Sequence, residues 1–239
     1  MSKDETMKYN TILLDFDDTL VDFYDAEDKA FHNMAKHYQH YPTTEDFQFF
    51  KQINQAHWEA FQENKLTKEE VLSHRFIEYF NHYGIEVDGR QADIMFRDEL
   101  AKAPIKHFDS TLETIDRLAQ NNELYIVTNG VTDTQKRRIA QLQFKDTFAG
   151  VFISEETGYQ KPMIEFFDYV FDEIGEEKRE STIIVGDSLT SDILGGKNAN
   201  IATCWFNIRN KKNTSNIEPD YEIESLDELV KLIEMDNET

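Results

Sequence analysis

Five short, nearly continuous apolar runs punctuate the chain: Ile12 to Leu14, Leu124 to Val127, Val151 to Ile153, Ile183 to Val185 and Ile201 to Phe206. Runs of this length without alternating polar residues read as strands covered on both faces, as in a parallel sheet. Helical patterns separate the last four, over Thr132 to Leu142, Pro162 to Ile174 and Leu189 to Asn198. Strand and helix in alternation predict an α/β fold, a doubly wound parallel sheet of Rossmann-like type. Pro162 suits the first turn of its helix, and Ser225-x-x-Glu228 opens a final helix as a capping box.

Between the first two runs, residues 20–105 carry no strand-like stretch. Thr67-x-x-Glu70 is a capping box, and Leu72, Phe76, Tyr79, Phe80 and Tyr83 follow near helical spacing up to Gly84, a C-terminal stop. Phe47, Phe50, Trp58 and Phe61 supply a second aromatic face. Aromatic stripes of this kind pack a small helical bundle. The expected organisation is a core formed by residues 1–19 and 106–239, with an α-helical cap domain inserted at 20–105. Ser110-x-x-Glu113 starts the helix that returns the chain to the sheet, and Asn210 to Asn216 forms the clearest polar loop.

A length of 239 residues accommodates one full core and a smaller second domain, and 39% hydrophobic residues supply the material for both. No apolar stretch approaches the roughly 18 residues that span a bilayer, and the N-terminus lacks a signal-peptide apolar region. The cytosol is the expected compartment. Cys204 is the only cysteine, which excludes an intrachain disulfide; inside an apolar run it reads as core packing. A formal net charge of -22 opposes polymeric nucleic acid and anionic membranes as partners. The same charge repels small phosphorylated molecules, so a site for one must supply its own cations through metal, lysine or backbone amides.

The first run leads directly into Asp15-Phe16-Asp17-Asp18-Thr19. Carboxylates crowded at a strand end repel one another and lose hydration, a cost met by a bound cation or by reaction chemistry. Acidic residues also cap helices and start loops, so the other strand exits decide between the readings. In open α/β sheets ligands collect at the carboxyl ends of strands. There the chain places Thr128-Asn129-Gly130, then Gly158-Tyr159-Gln160-Lys161-Pro162 before the next helix, then Gly186-Asp187-Ser188 with Ser191-Asp192. Each alone reads as a cap, a turn or a surface lysine; together they bring carboxylates, a hydroxyl and a lysine to one crevice. The seven histidines lack the paired spacing with cysteine of a zinc site.

The order Asp15-x-Asp17-x-Thr19, Thr128, Lys161 and Gly186-Asp187-x4-Asp192 resembles the four motifs of the haloacid dehalogenase superfamily, in the branch with a helical cap after strand one. More narrowly, Asp15 to Phe23, Thr128-Asn129-Gly130, Ile153-Ser154-Glu155-Glu156, Ser191 to Asn198 and Ala202-Thr203-Cys204-Trp205 look like the bacterial cytosolic pyrimidine 5'-nucleotidases. The resemblance implies a magnesium-dependent phosphomonoesterase, with manganese as an accepted substitute. Asp15 would be the nucleophile that forms an aspartyl-phosphate, and Asp17 the acid and then the base. Asp15, Asp187 and the Asp17 carbonyl would bind the metal, and Asp192 would stand behind them, orienting water or Lys161. Thr128, Asn129, Lys161 and backbone amides would hold the phosphate, while Asp18 would shape the turn. The implied partner is a small nucleoside monophosphate, with Phe23 and Tyr24 either stacking on its base or packing within the cap.

Three other functions fit parts of the same pattern. A sugar-phosphate phosphatase needs only a different cap surface. A haloacid dehalogenase shares the aspartate nucleophile, but halide departs without a proton and leaves Asp17 without a task. A noncatalytic phospho-acceptor would use the acidic pocket as a switch, yet a water-excluding cap serves turnover rather than switching.

Overall fold

The computed structural model describes residues 8–235. Its sheet has six strands in the order β3-β2-β1-β4-β5-β6, and every neighbouring pair is parallel. The strands are β1 (Thr11–Leu14), β2 (Glu123–Thr128), β3 (Gly150–Ile153), β4 (Thr182–Gly186), β5 (Ala202–Phe206) and β6 (Tyr221–Ile223). Leu14 of β1 lies opposite Ile126 of β2 on one side and Val185 of β4 on the other. The strand order reverses at β1, the topological switch point where such sheets open a crevice at their carboxyl ends.

Burial follows position in the sheet. Every residue of β1 and β4 is buried, as continuous apolar runs predict. Val151 to Ile153, expected as a buried strand, instead forms the edge strand β3, where Val151 is 37% exposed. An edge strand has one neighbour, and an apolar run carries no mark of that. At the opposite edge Tyr221–Ile223 adds a strand that sequence periodicity missed, since three residues are too few to show a period. Cys204 is fully buried on β5, and burial, with Glu228 adding to it, pushes its thiol up to about 12. It packs the core and is not a nucleophile at neutral pH.

Chain contacts divide the protein into two compact units. One ends its first segment at Asp22 and resumes over Lys106–Thr132 and from Ile139 onward; the other comprises Phe23–Ile105 and Asp133–Arg138. The Phe23–Ile105 part of the second unit contains four helices: α1 (Phe23–His37), α2 (Thr44–Gln62), α3 (Lys68–His82) and α4 (Gly89–Lys102). Thr67 and Glu70 form the expected capping box, and Gly84, at φ +68, follows the end of α3. A second capping box joins Thr43 to Asp46. Phe31, Phe47, Phe50, Phe76, Tyr79 and Phe96 fill the bundle, with Phe31 and Phe50 stacked at 4.4 Å between ring centroids.

Several helix boundaries differ from the periodicity. The helix α5 (Thr111–Leu118) begins where expected, but Ser110 adopts φ +62 and its hydroxyl donates to the Asp109 carbonyl instead of capping. The next helix, α6 (Thr132–Ile139), stops before Leu142. A short α7 (Ser154–Thr157) precedes α8 (Ile164–Ile174). Pro162 therefore lies outside α8, in a turn after a cis Lys161–Pro162 peptide. Leu189–Ile193 winds as a π-helical turn before α9 (Leu194–Asn198), and α10 (Leu226–Met235) follows a Ser225 hydroxyl that donates to Glu228. Among the described residues no helix is long and apolar enough to cross a membrane.

One buried ionic network crosses the helical bundle. Arg75 of α3 donates to Asp93 of α4 at 2.7 Å and to Asn54 of α2 at 2.8 Å, and Asn54 donates to Glu27 of α1 at 2.8 Å. Both members of the Arg75–Asp93 pair are less than 5% exposed. Breaking a buried pair leaves the other charge without compensation. Asp93→Ala should destabilise the chain by about 3–5 kcal/mol in urea unfolding, whereas removing the exposed Asp25–Lys29 pair should leave the midpoint near that of the parent.

Candidate active site

Asp15 follows β1 in register, and its N–H donates to the Val185 carbonyl of β4 at 2.9 Å. The sheet thus continues one residue past β1 and carries the Asp15 side chain into the switch-point crevice. There Lys161, 1% exposed, delivers its ammonium from the turn after α7. Its Nζ donates to Asp15 Oδ1 at 2.7 Å, to Asp192 Oδ1 at 2.6 Å and to the Val127 carbonyl of β2 at 2.8 Å. An ammonium has three protons, and all three are engaged. Burial alone drives Lys161 toward neutrality, but Asp15 and Asp192 outweigh it and hold the ammonium protonated above the ordinary lysine range.

The carboxylates are less well compensated. Burial pushes Asp15 up to about 7; Lys161 opposes the rise, and Asp192 and Asp17 add to it. Asp187, just past β4, is held well above its ordinary value by desolvation, then by Asp18 and Asp15. Carboxylate oxygens of Asp15, Asp187 and Asp192 lie within 4.8 Å of one another. Hard oxygen donors this close, with Asp15 and Asp187 holding their protons more tightly than usual, fit a small divalent cation such as magnesium. Both oxygens of Asp192 are engaged, one by Lys161 and the other by the Ser188 N–H at 3.1 Å.

Local packing fixes these groups. Thr19 is fully buried; its hydroxyl donates to Asp15 Oδ2 at 3.4 Å and accepts from the Asp187 N–H at 3.1 Å, which ties the first and fourth motifs together. The Trp205 indole donates to the Asp187 carbonyl at 2.9 Å. Gly186 has to be glycine, since a Cβ there would lie 2.2 Å from the Asp192 carboxyl carbon. Thr128, 2% exposed, ends β2, and its hydroxyl accepts from the Gly130 N–H at 3.3 Å. The Asn129 side chain spans two strand exits: its Oδ1 accepts from the Lys161 N–H at 2.9 Å and its Nδ2 donates to the Lys161 carbonyl at 2.8 Å.

The sheet unit therefore brings together Asp15, Asp17, Thr128, Asn129, Lys161, Asp187 and Asp192. Phe23 and Tyr24 belong to the helical unit, where both lean on its aromatic core. Tyr24 meets Phe47 edge-on at 5.4 Å and its hydroxyl accepts from Gln48 at 2.8 Å. Sequence reasoning gave no role to Thr19 or Trp205, although both stand within quoted motifs, and it missed Arg209. The Arg209 guanidinium meets Asp18 at 2.7 Å from a loop 191 positions away, and only its charge within an acidic chain could have marked it.

Comparison with known proteins agrees with this geometry. Residues 12–206 match the haloacid dehalogenase-like hydrolase family. The crystal structure of the HAD-hydrolase YfnB from Bacillus subtilis, bound to magnesium, superposes with a TM-score of 0.89 at 41% identity, covering 94% of this chain and 98% of that one. The chain is 34% identical to the pyrimidine 5'-nucleotidase PynA of Streptococcus pneumoniae, over 95% of its own length and 96% of the relative's. It is 30% identical to the pyrimidine 5'-nucleotidase YjjG of Escherichia coli, over 95% and 99% of the two lengths. With its motif residues gathered at the switch point and its relatives matched nearly end to end, the chain belongs to the haloacid dehalogenase-like hydrolase family.

Proposed function

We propose that the protein is a magnesium-dependent phosphomonoesterase that acts through an aspartyl-phosphate, and that its substrates are pyrimidine nucleoside 5'-monophosphates. The observation that carries the chemistry is the Lys161 ammonium between Asp15 and Asp192, beside Asp187. Asp15 attacks phosphorus while Asp17 protonates the departing ester oxygen, and Asp17 then takes a proton from the water that hydrolyses the acyl phosphate. Thr128 and the backbone amides after β2 hold the equatorial oxygens, and Lys161 joins them by turning the hydrogen bond it gives Asp15 onto the phosphate as Asp15 attacks. Asp15, Asp187 and the Asp17 carbonyl would hold the metal, which would offset the repulsion between an anionic nucleophile and an anionic phosphate. Asp192, with both oxygens committed, positions Lys161.

Substrate class rests on the two relatives named as pyrimidine 5'-nucleotidases, each matched over 95% of this chain. The glyceraldehyde 3-phosphate phosphatases of Methanocaldococcus jannaschii and Methanothermobacter thermautotrophicus match 55% and 58% of the chain, which favours the nucleotide reading over sugar phosphates. The helical unit serves as the cap. Phe23 and Tyr24 are half-buried against its core, which favours packing over base stacking as their main task.

Asp15→Asn should lower turnover by more than about 10³-fold without loss of fold, read by phosphate release and circular dichroism. Full activity in that variant rejects the mechanism. A panel of pyrimidine and purine monophosphates with glyceraldehyde 3-phosphate should show the highest kcat/KM for pyrimidines; preference for the sugar phosphate rejects the substrate class.

The raised carboxyls also predict a pH-dependent response to metal. The folded protein retains a proton on Asp15 up to about 7 that the unfolded chain releases near 3.8. Without a cation, that group's contribution to stability is therefore lost as pH rises through this interval. Magnesium competes with the same proton, so its gain in Tm should be small at about pH 5 and larger above about pH 7. Thermal melts with and without magnesium at both values test this, and an equal gain at both pH values contradicts a carboxylate site.

A further inference from the structure

Beyond β5 the chain makes a turn whose construction exceeds the needs of a surface loop. Asn207, 3% exposed, accepts from the Lys211 N–H at 2.8 Å through Oδ1 and donates to the Lys211 carbonyl at 3.0 Å through Nδ2. Nδ2 also donates to Glu222 at 2.7 Å, and the Asn207 N–H donates to the Ile223 carbonyl at 2.7 Å, which moors the turn to β6. Between these anchors Asn210 adopts φ +49 and its N–H donates to the Asn207 carbonyl at 2.9 Å. Arg209 projects from this turn. One of its nitrogens, Nη2, lies 2.7 Å from Asp18 Oδ1 and 3.3 Å from Asp22 Oδ1.

Those two carboxylates flank the turn that follows Asp17. The turn is closed by Asp18 N–H to the Val21 carbonyl at 2.8 Å and by Leu20 and Val21 N–H to the Phe16 carbonyl at 3.0 and 3.2 Å. Asp18 itself sits at φ +57, in the left-handed region that aspartate tolerates better than most L-residues. Lys106 holds the far side of the turn through Asp22 at 3.0 Å. A proton donor gains from being held within hydrogen-bond reach of the departing oxygen, so whatever fixes residues 18–22 also fixes the aim of Asp17.

We propose that Arg209 is a positioning residue for the proton transfer by Asp17, clamping Asp18 and Asp22 from the Asn207 turn. The inference rests on the phosphomonoesterase reading above. In the step concerned, the bond from phosphorus to the leaving oxygen breaks, Asp15 forms the new bond to phosphorus, and the Asp17 proton passes to the leaving oxygen. A misaimed acid matters most when that oxygen is a poor leaving group and little when it departs readily as an anion.

The experiment is a series of aryl phosphates, from p-nitrophenyl to unsubstituted phenyl, with magnesium saturating. Arg209→Met should cut kcat/KM, which reports the steps up to release of the phenol and not the later hydrolysis of the acyl phosphate, by about tenfold for phenyl phosphate and by less than about twofold for p-nitrophenyl phosphate. Arg209→Lys should restore part of the loss on phenyl phosphate. Because the ion pairs are partly hydrated they add little to global stability, and the variants should melt close to the parent. Should Arg209→Met nonetheless fail to fold, Asp18→Asn removes the charge of the nearer partner and should steepen the series in the same direction. Equal losses across the series, or none, overturn the inference. Asp17→Asn separates the two levels: its burst of released phenol should steepen sharply with leaving group. A flat Asp17→Asn series rejects the acid assignment itself, whereas a steep one beside a flat Arg209→Met series rejects only the clamp.

Discussion

A protonated lysine buried among carboxylates is the interaction on which the site depends. Taking Asp15, Asp192 and Lys161 out of water separately would cost several kcal/mol per ion. Grouped so that one ammonium donates to both carboxylates and to the Val127 carbonyl, each charge finds partners at 2.6 to 2.8 Å. The arrangement constrains the sheet as well. It requires the carboxyl ends of β1, β2 and β4 to lie side by side and the Lys161 turn to approach from beyond β3. A parallel sheet whose order reverses at β1 meets those conditions. The compensation is incomplete, since Asp15 and Asp187 both stay above their ordinary range. That residue of unbalanced negative charge is what a divalent cation would offset.

Precision at the site comes from backbone amides held by asparagines. Lysine carries its charge at the end of four rotatable carbons, so its ammonium is only as well placed as its own main chain. Asn129 pairs with both the N–H and the carbonyl of Lys161, and Asn198 donates to the Pro162 carbonyl at 2.9 Å. Asn207 repeats the device on Lys211. An asparagine side chain offers an acceptor and a donor side by side, and can imitate a neighbouring strand where the sheet has ended. Buried loop backbone would otherwise be left with unsatisfied polar groups.

The central strands and the carboxylate positions were legible in the sequence for a shared reason. Ile12 to Leu14 and Ile183 to Val185 are apolar because both faces are covered, and Asp15 and Asp187 stand out because charge directly after such a run has no packing role. Boundaries governed by single hydrogen bonds were not legible. Ser110 looks like a cap but donates to the Asp109 carbonyl, and Pro162 looks like a first-turn residue but lies in the turn before α8. Nothing in a polar loop distinguishes Arg209 from a solvated cation, because its partners precede it by 187 and 191 positions. Periodicity reports what a residue faces within its own element, and these contacts join elements that only the completed sheet brings together.

The distribution of charge follows from the same logic. A chain of net charge -22 repels phosphate at long range, so the attraction has to be local and has to survive salt. Lys161 is buried and therefore weakly screened, so its ammonium acts on charges in the crevice more strongly than one on the surface would. Arg209 and Lys106 are spent on Asp18 and Asp22, and Lys211 stands 3.6 Å from Asp187. Arg209 and Lys106 thus neutralise carboxylates that shape the turn after the first motif, while Lys211 stands closer to the crevice. Acidity elsewhere on the surface costs the reaction little, provided this short inventory of cations stays in register with the ends of β1, β4 and β5.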